Sequence, residues 1–242
     1  MGDDIGMSAV VYPASARPRS SGEGRDTRHS FSFGEHYDPG NVGFAALLAH
    51  NDERLAAGAG YAQHRHRDVE IVTWVVEGVL VHRGAGVRED LLGPGDVMVT
   101  SAGSGIEHAE AAGADRPVRF VQAWLRPDQD GTAPARAVAR GALPAQGRLT
   151  AVVSGTGQAP LALGCAAATL WAAGLTAGQE VALPGDAALH VYLASGSGHC
   201  AGVALGEGDV LRVTDPTALR FTADGTTGAP TLLLVWSFRP GC

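Results

Sequence analysis

The sequence predicts an all-β chain made of two tandem β-barrel units. Three observations carry this expectation. First, short apolar runs recur at residues 44–49, 69–76, 79–82, 97–100 and 118–125, and again at 149–153, 168–172, 188–194, 210–213, 219–222 and 231–238. Each is bounded by Gly, Asp or Pro, as strands are. Second, no window of helical length combines a 3.6-residue apolar period with capping residues. Third, residues 75–100 and 192–214 echo one another. Both read as strand, glycine turn, strand, then Gly-x-Gly-Asp-Val (93–97 and 206–210) and a further strand.

The elements follow in order. Residues 1–28 are polar and rich in Ser, Arg and Gly, which predicts a loosely ordered lead with one edge strand around 10–12. Strand rhythm begins at His29. Residues 128–148, DQDGTAPARAVARGALPAQGR, are a low-complexity connection in which 133–139 is expected to form at most one helical turn. The expected organisation is thus a lead over 1–28, a first domain over 29–135 and a second over 136–242. At each Gly-x-Gly-Asp, a tight hairpin turn with positive φ at glycine is expected.

Composition narrows the function. Of 242 residues, 45% are hydrophobic and 18% charged, an ordinary globular balance. The net charge of -7 and the absence of lysine argue against a general electrostatic grip on nucleic acid. No apolar run approaches the length of a membrane span. Cys165, Cys200 and Cys242 show no CxxC spacing and an odd count, so they read as inert thiols of a reducing compartment. The expectation is a soluble cytoplasmic protein with no membrane attachment and no general nucleic-acid binding, specific contacts through a local basic patch staying open.

The chemistry concentrates in two stretches, 60–70 (GYAQHRHRDVE) and 104–110 (SGIEHAE). Residues two apart on a strand share a face. His64 and His66 therefore project together, and His108 and Glu110 do so from another strand. If both strands face one interior, three imidazoles and a carboxylate converge, a donor set for Fe, Ni, Cu, Mn or Zn. Neutral imidazole binds metal near physiological pH, and four protein ligands leave positions open on a five- or six-coordinate ion.

These residues resemble known motifs. His64-x-His66-x3-Glu70, preceded by Gly58, matches the first cupin motif, and Gly95-Asp96 with His108 matches the second in outline. The finer similarity is to the pirin family of bicupins. It rests on residues 29–52 (HSFSFGEHYDPGNVGFAALLAHND), 64–83 (HRHRDVEIVTWVVEGVLVHR) and 95–110 (GDVMVTSAGSGIEHAE). It is strong over about 25–127 and holds only in outline over 149–242. It implies two cupin barrels, double-stranded β-helices of jelly-roll type, with a metal in the first only. The implied ligands are His64, His66, His108 and Glu110. A general cupin would use Glu70 instead, which here is expected to support an imidazole from outside the ligand set. Arg65 stands where the family usually has proline, and on an alternating strand it points away from the ligands.

The resemblance also implies function. Some pirins are similar to flavonol dioxygenases, which implies a small aromatic, quercetin-like substrate, dioxygen as co-substrate, and Glu110 as both ligand and proton acceptor. Iron(II) is the metal implied, with Ni, Cu, Mn or Zn as substitutes. The other class implied is a non-enzymatic, iron-based redox regulator that binds a transcription factor or a metabolic enzyme. His190 and His199 form no ligand pair, so the second barrel is expected to hold no metal. His29, His36, His50 and His82 are expected to be structural, and Trp74, Trp124, Trp171 and Trp236 to fill cores.

Overall fold

The computed structural model describes residues 7–84, 89–143, 146–224 and 230–240. Among these there is no α-helix; one 3-10 turn spans Ala14–Ala16, and everything regular besides is strand. No helix is long and apolar enough to cross a membrane. The chain forms two compact units, one comprising Arg17–Ala142 and Pro160–Ala166, the other Met1–Ala16, Leu143–Ala159 and Ala167–Cys242.

The first unit is a barrel of two antiparallel sheets. Its large sheet runs, edge to edge, Ala135–Ala139, Val97–Ser101, Glu70–Glu77, Val118–Leu125, Leu47–Leu55, Arg25–His29, Arg19–Gly22. Its small sheet runs Gly60–His66, Ile106–Ala112, Leu80–Gly84, Asp90–Leu92. Leu55, Val75, Leu80, Leu92, Met98, Ala112, Val118 and Phe120 close the apolar part of the interior. Polar residues occupy the rest, so the barrel gives up part of its hydrophobic core to a site.

The second unit repeats the plan. Its large sheet runs Ser8–Tyr12, Val210–Thr214, Ala188–Ser195, Thr231–Phe238, Ala168–Leu175, Thr150–Ser154. Its small sheet runs Glu180–Ala182, Arg220–Ala223, Ser197–Cys200, Val203–Gly206. An apolar cluster around Leu175, Val191, Leu211, Phe221 and Val235 fills its interior. Where the first barrel pairs His64 with His108 across its small sheet, this one pairs Val181 with Phe221.

The echo between the units has a physical basis at the Gly-x-Gly-Asp turns. Gly95 (φ 80°) and Gly208 (φ 84°) both take the left-handed conformation that glycine alone adopts cheaply. Each following aspartate closes its turn through a carboxylate that accepts a backbone N–H, Gly93 to Asp96 at 2.9 Å and Gly206 to Asp209 at 2.8 Å. The chain is all-β, with two tandem cupin barrels.

Two local expectations are corrected. The edge strand expected around 10–12 is present as Ser8–Tyr12, but the rest of the lead is not loose, because Arg19–Gly22 and Arg25–His29 are strands as well. Their polar composition hides them: Thr27 and His29 point inward to hydrogen-bonded positions, Arg25 shares their face, and Asp26 and Arg28 lie on the other. Residues 135–139 form an edge strand rather than a helical turn. Pairing Ala137 with Val99 supplies the ladder hydrogen bonds that local propensity does not predict. Cys165 and Cys200 are buried free thiols, and burial pushes Cys200 up to about 11. Cys242 lies outside the described residues.

Candidate metal centre

The site is built on the small sheet of the first barrel. Ile106–Ala112 runs antiparallel to Gly60–His66, with His108 opposite His64 and Ile106 opposite His66. Beyond His108 the register shifts, and Glu110 meets Tyr61. This bulge inserts an extra residue at Ala62–Gln63, so Tyr61 and His64, three apart, both face inward. Tyr61 is thereby free to reach the buried Glu53, donating its hydroxyl proton at 2.7 Å.

The rings of His64, His66 and His108 gather with centroid separations of 4.8, 4.5 and 4.9 Å. Their ligand-capable atoms all lie within 4.8 Å of one another. A second group, His82, His108 and Glu110, satisfies the same limit. The four residues singled out in the sequence therefore fall into two overlapping clusters that share His108. Glu110 is buried and lines the same cavity as His64 and His66.

Electrostatics prepares this cluster for a cation. Burial, then the neighbouring His64, lowers His66 to about 4; burial and the surrounding histidines lower His108 to about 3. Both are neutral at pH 7, the form that ligates. The His64 ring donates its Nδ1–H to the Ala62 carbonyl at 2.8 Å, which makes Nε2 the ring nitrogen open to a ligand bond. His108 Nδ1 lies 2.9 Å from His82 Nε2, while its Nε2 is buried with no hydrogen-bond partner. Burial raises Glu110 to about 7 against the opposing hydrogen bonds of Gln122, whose amide donates to both carboxylate oxygens at 3.0 and 3.1 Å. Three converging imidazoles, an orphaned buried nitrogen and a nearby carboxylate fit a transition-metal ion.

Glu70 does not join either cluster. It is buried on the large sheet, where Oε2 accepts hydrogen bonds from Ser101 Oγ at 2.8 Å and Gly164 N at 3.0 Å. His82, read from sequence as structural, instead contacts His108 and lies opposite Glu110. Its signal was strand parity, since it alternates with the buried Leu80. Trp124, expected in a core, is half-buried and borders the cavity, whereas Trp74 is fully packed. Gln122 carried no motif and was missed.

The cavity over the cluster has a volume of about 440 Å³. Phe33 and Trp124 give it an aromatic wall, their rings 5.4 Å apart and Trp124 4.9 Å from His66. Glu53, Tyr61, Asn51 and His29 give it a polar wall, and Ser20, Ser21 and Arg25 reach it from the residues expected to form a loose lead. His66 and His108 also border a second cavity of about 880 Å³, on the side of His82 and Arg136.

Comparisons with known proteins agree with this architecture. The Pirin family model matches residues 12–125. A provisionally named quercetin 2,3-dioxygenase of Mycobacterium tuberculosis is 39% identical over 218 residues, 88% of each chain. The quercetin 2,3-dioxygenase of Escherichia coli K12 is 36% identical over 110 residues, 45% of this chain and 48% of that protein. Among solved structures, the bacterial pirin YhhW of Escherichia coli in complex with nickel(II) superposes with a TM-score of 0.88 at 26% identity, covering 97% of this chain and 100% of that one. A family model over residues 12–125, a relative 39% identical across 88% of both chains and a bacterial pirin with the same fold agree, and the chain belongs to the pirin family.

Proposed function

We propose that this pirin is a metal-dependent dioxygenase acting on flavonol-type, quercetin-like substrates. The observation that carries the reading is the convergence of His64, His66 and His108, with an orphaned nitrogen on His108, beneath an aromatic-walled cavity. The proposed ligands are these three histidines and Glu110, and the proposed ion is Fe(II). The nickel in the similar YhhW structure supports a site open to several divalent ions. When bound, the ion supplies Lewis acidity and redox chemistry toward dioxygen.

The chain's own residues supply the rest. Phe33 and Trp124 suit the face and edge of a flat ring system. Glu53 holds a carboxylate at the polar wall, where it accepts from Thr27 and Tyr61 and retains acceptor capacity for a substrate hydroxyl. Burial raises Glu110 to about 7 in the metal-free site, and a bound ion would favour its carboxylate form, the form that accepts the proton of the substrate's acidic hydroxyl. The half-enclosed apolar wall limits water at the reacting ring.

The test is oxygen uptake by iron-loaded protein with quercetin, run beside His64→Ala. Metal-dependent uptake that disappears in the variant is expected. No uptake with stoichiometric metal bound overturns the enzymatic reading and favours the redox-regulator class.

A further inference from the structure

Gln122 lies on the central strand Val118–Leu125, flanked in register by Asn51 and Thr73. Its side-chain amide is pinned at both ends. The indole N–H of Trp124 donates to Gln122 Oε1 at 3.0 Å. An indole nitrogen can only donate, so this contact decides which end of the amide is the carbonyl. The NH2 end must then face the other way, where Nε2 reaches Glu110 Oε1 at 3.0 Å, Glu110 Oε2 at 3.1 Å and Thr73 Oγ1 at 3.1 Å. Without the indole bond, the amide could turn its oxygen toward the carboxylate, and two acceptors would face each other in a buried site.

The same indole borders the cavity and lies edge-on to His66, 4.9 Å between centroids. One side chain therefore touches the cavity, one candidate ligand directly and another through Gln122.

We propose that Trp124 and Gln122 are positioning residues for Glu110: the indole sets the amide and the amide aims the carboxylate at the metal cluster. This rests on the reading of Glu110 as a ligand. Outer partners of metal ligands typically change affinity by about 10–100-fold, and that range is expected here for Gln122→Leu.

The experiment measures nickel(II) affinity by chelator competition in the full-length protein for wild type, Gln122→Leu, Trp124→Phe, Glu110→Gln and the double variant Gln122→Leu/Glu110→Gln. Gln122→Leu is expected to weaken binding, and Trp124→Phe, which deletes the N–H and keeps an aromatic ring, weakens it in the same direction. In the Glu110→Gln background, Gln122→Leu is expected to cause no further loss, since the residue acts through Glu110. A loss of equal size in both backgrounds overturns the proposal, because a merely structural role carries over. Wild-type affinity in both Gln122→Leu and Trp124→Phe also overturns it. Should Gln122→Leu not fold, Trp124→Phe decides alone, with wild-type affinity counting against the proposal. If Glu110→Gln itself binds nickel as tightly as wild type, the ligand reading fails instead.

Discussion

Arg119→Met tests how the polar wall of the cavity is anchored. Arg119 and Asp52 sit on adjacent strands of the large sheet and form a two-point ion pair, Nε to Oδ1 at 3.0 Å and Nη2 to Oδ2 at 2.7 Å. Their side chains are only 5% and 4% exposed, so neither is rescued by solvent. Asp52 separates Asn51 and Glu53, which line the cavity from the opposite face of the strand. Methionine keeps much of the aliphatic bulk but takes from a buried carboxylate the guanidinium that binds both its oxygens, a change that costs about 3–5 kcal/mol. At about 2–4 °C per kcal/mol for a chain of this size, the metal-free protein should lose about 6–20 °C in melting temperature. Calorimetry on the metal-free protein is the assay, followed by Asp52→Leu/Arg119→Met. Removing both charges should restore most of the loss, because the cost lies in the stranded charge rather than in the absent bond. A single variant that melts within about 2 °C of wild type would refute the reasoning, as would a double variant no more stable than the single one.

Three further outcomes are expected. Metal-free protein should melt lower at pH 5 than at pH 7. His66, His82 and His108 are lowered to about 4, 4 and 3, mainly by burial, so between those values and 6.5 the unfolded chain binds more protons and stability falls as pH falls. Glu110, raised to about 7, and Glu53, also raised by burial, work in the opposite sense, but they are two groups against four, since burial lowers His29 as well; an unchanged or higher melting temperature at pH 5 would contradict this balance. Glu70→Gln should bind nickel as wild type does while Glu110→Gln binds it more weakly, and chelator competition giving the reverse order would move the ligand role to Glu70. His190→Ala should retain full metal content by elemental analysis while melting lower, since His190 is fully buried in the second barrel; loss of metal there would overturn the assignment of the site to the first barrel.

Much of the fold is legible because strand cores such as Val118–Leu125 and Thr231–Phe238 are buried nearly throughout and read as apolar runs. Strands that line a polar site or lie at an edge escape this signal. Arg25–His29 buries hydrogen-bonding groups rather than aliphatic ones, Gly60–His66 has no fully buried residue, and Ala135–Ala139 owes its conformation to a neighbour 38 positions away in its Ala137–Val99 pairing. The histidine trio is legible through strand parity. The bulge at Ala62–Gln63 is not, because a register shift depends on both strands at once, and it is what brings Tyr61 beside Glu53. His82 and Gln122 carry no motif: they matter through hydrogen bonds to His108 and Glu110 that only three-dimensional proximity reveals.

The central claim is that the cluster in the first barrel holds a metal ion, and the most direct test is metal stoichiometry. Purified metal-free protein is equilibrated with Fe(II) under anaerobic conditions, or with nickel(II), dialysed and assayed for bound metal beside His108→Ala. A single tightly held ion per chain, lost in His108→Ala while that variant remains folded, is the predicted result. Wild-type protein that retains no metal, or a folded His108→Ala variant that retains as much as wild type, would contradict the account.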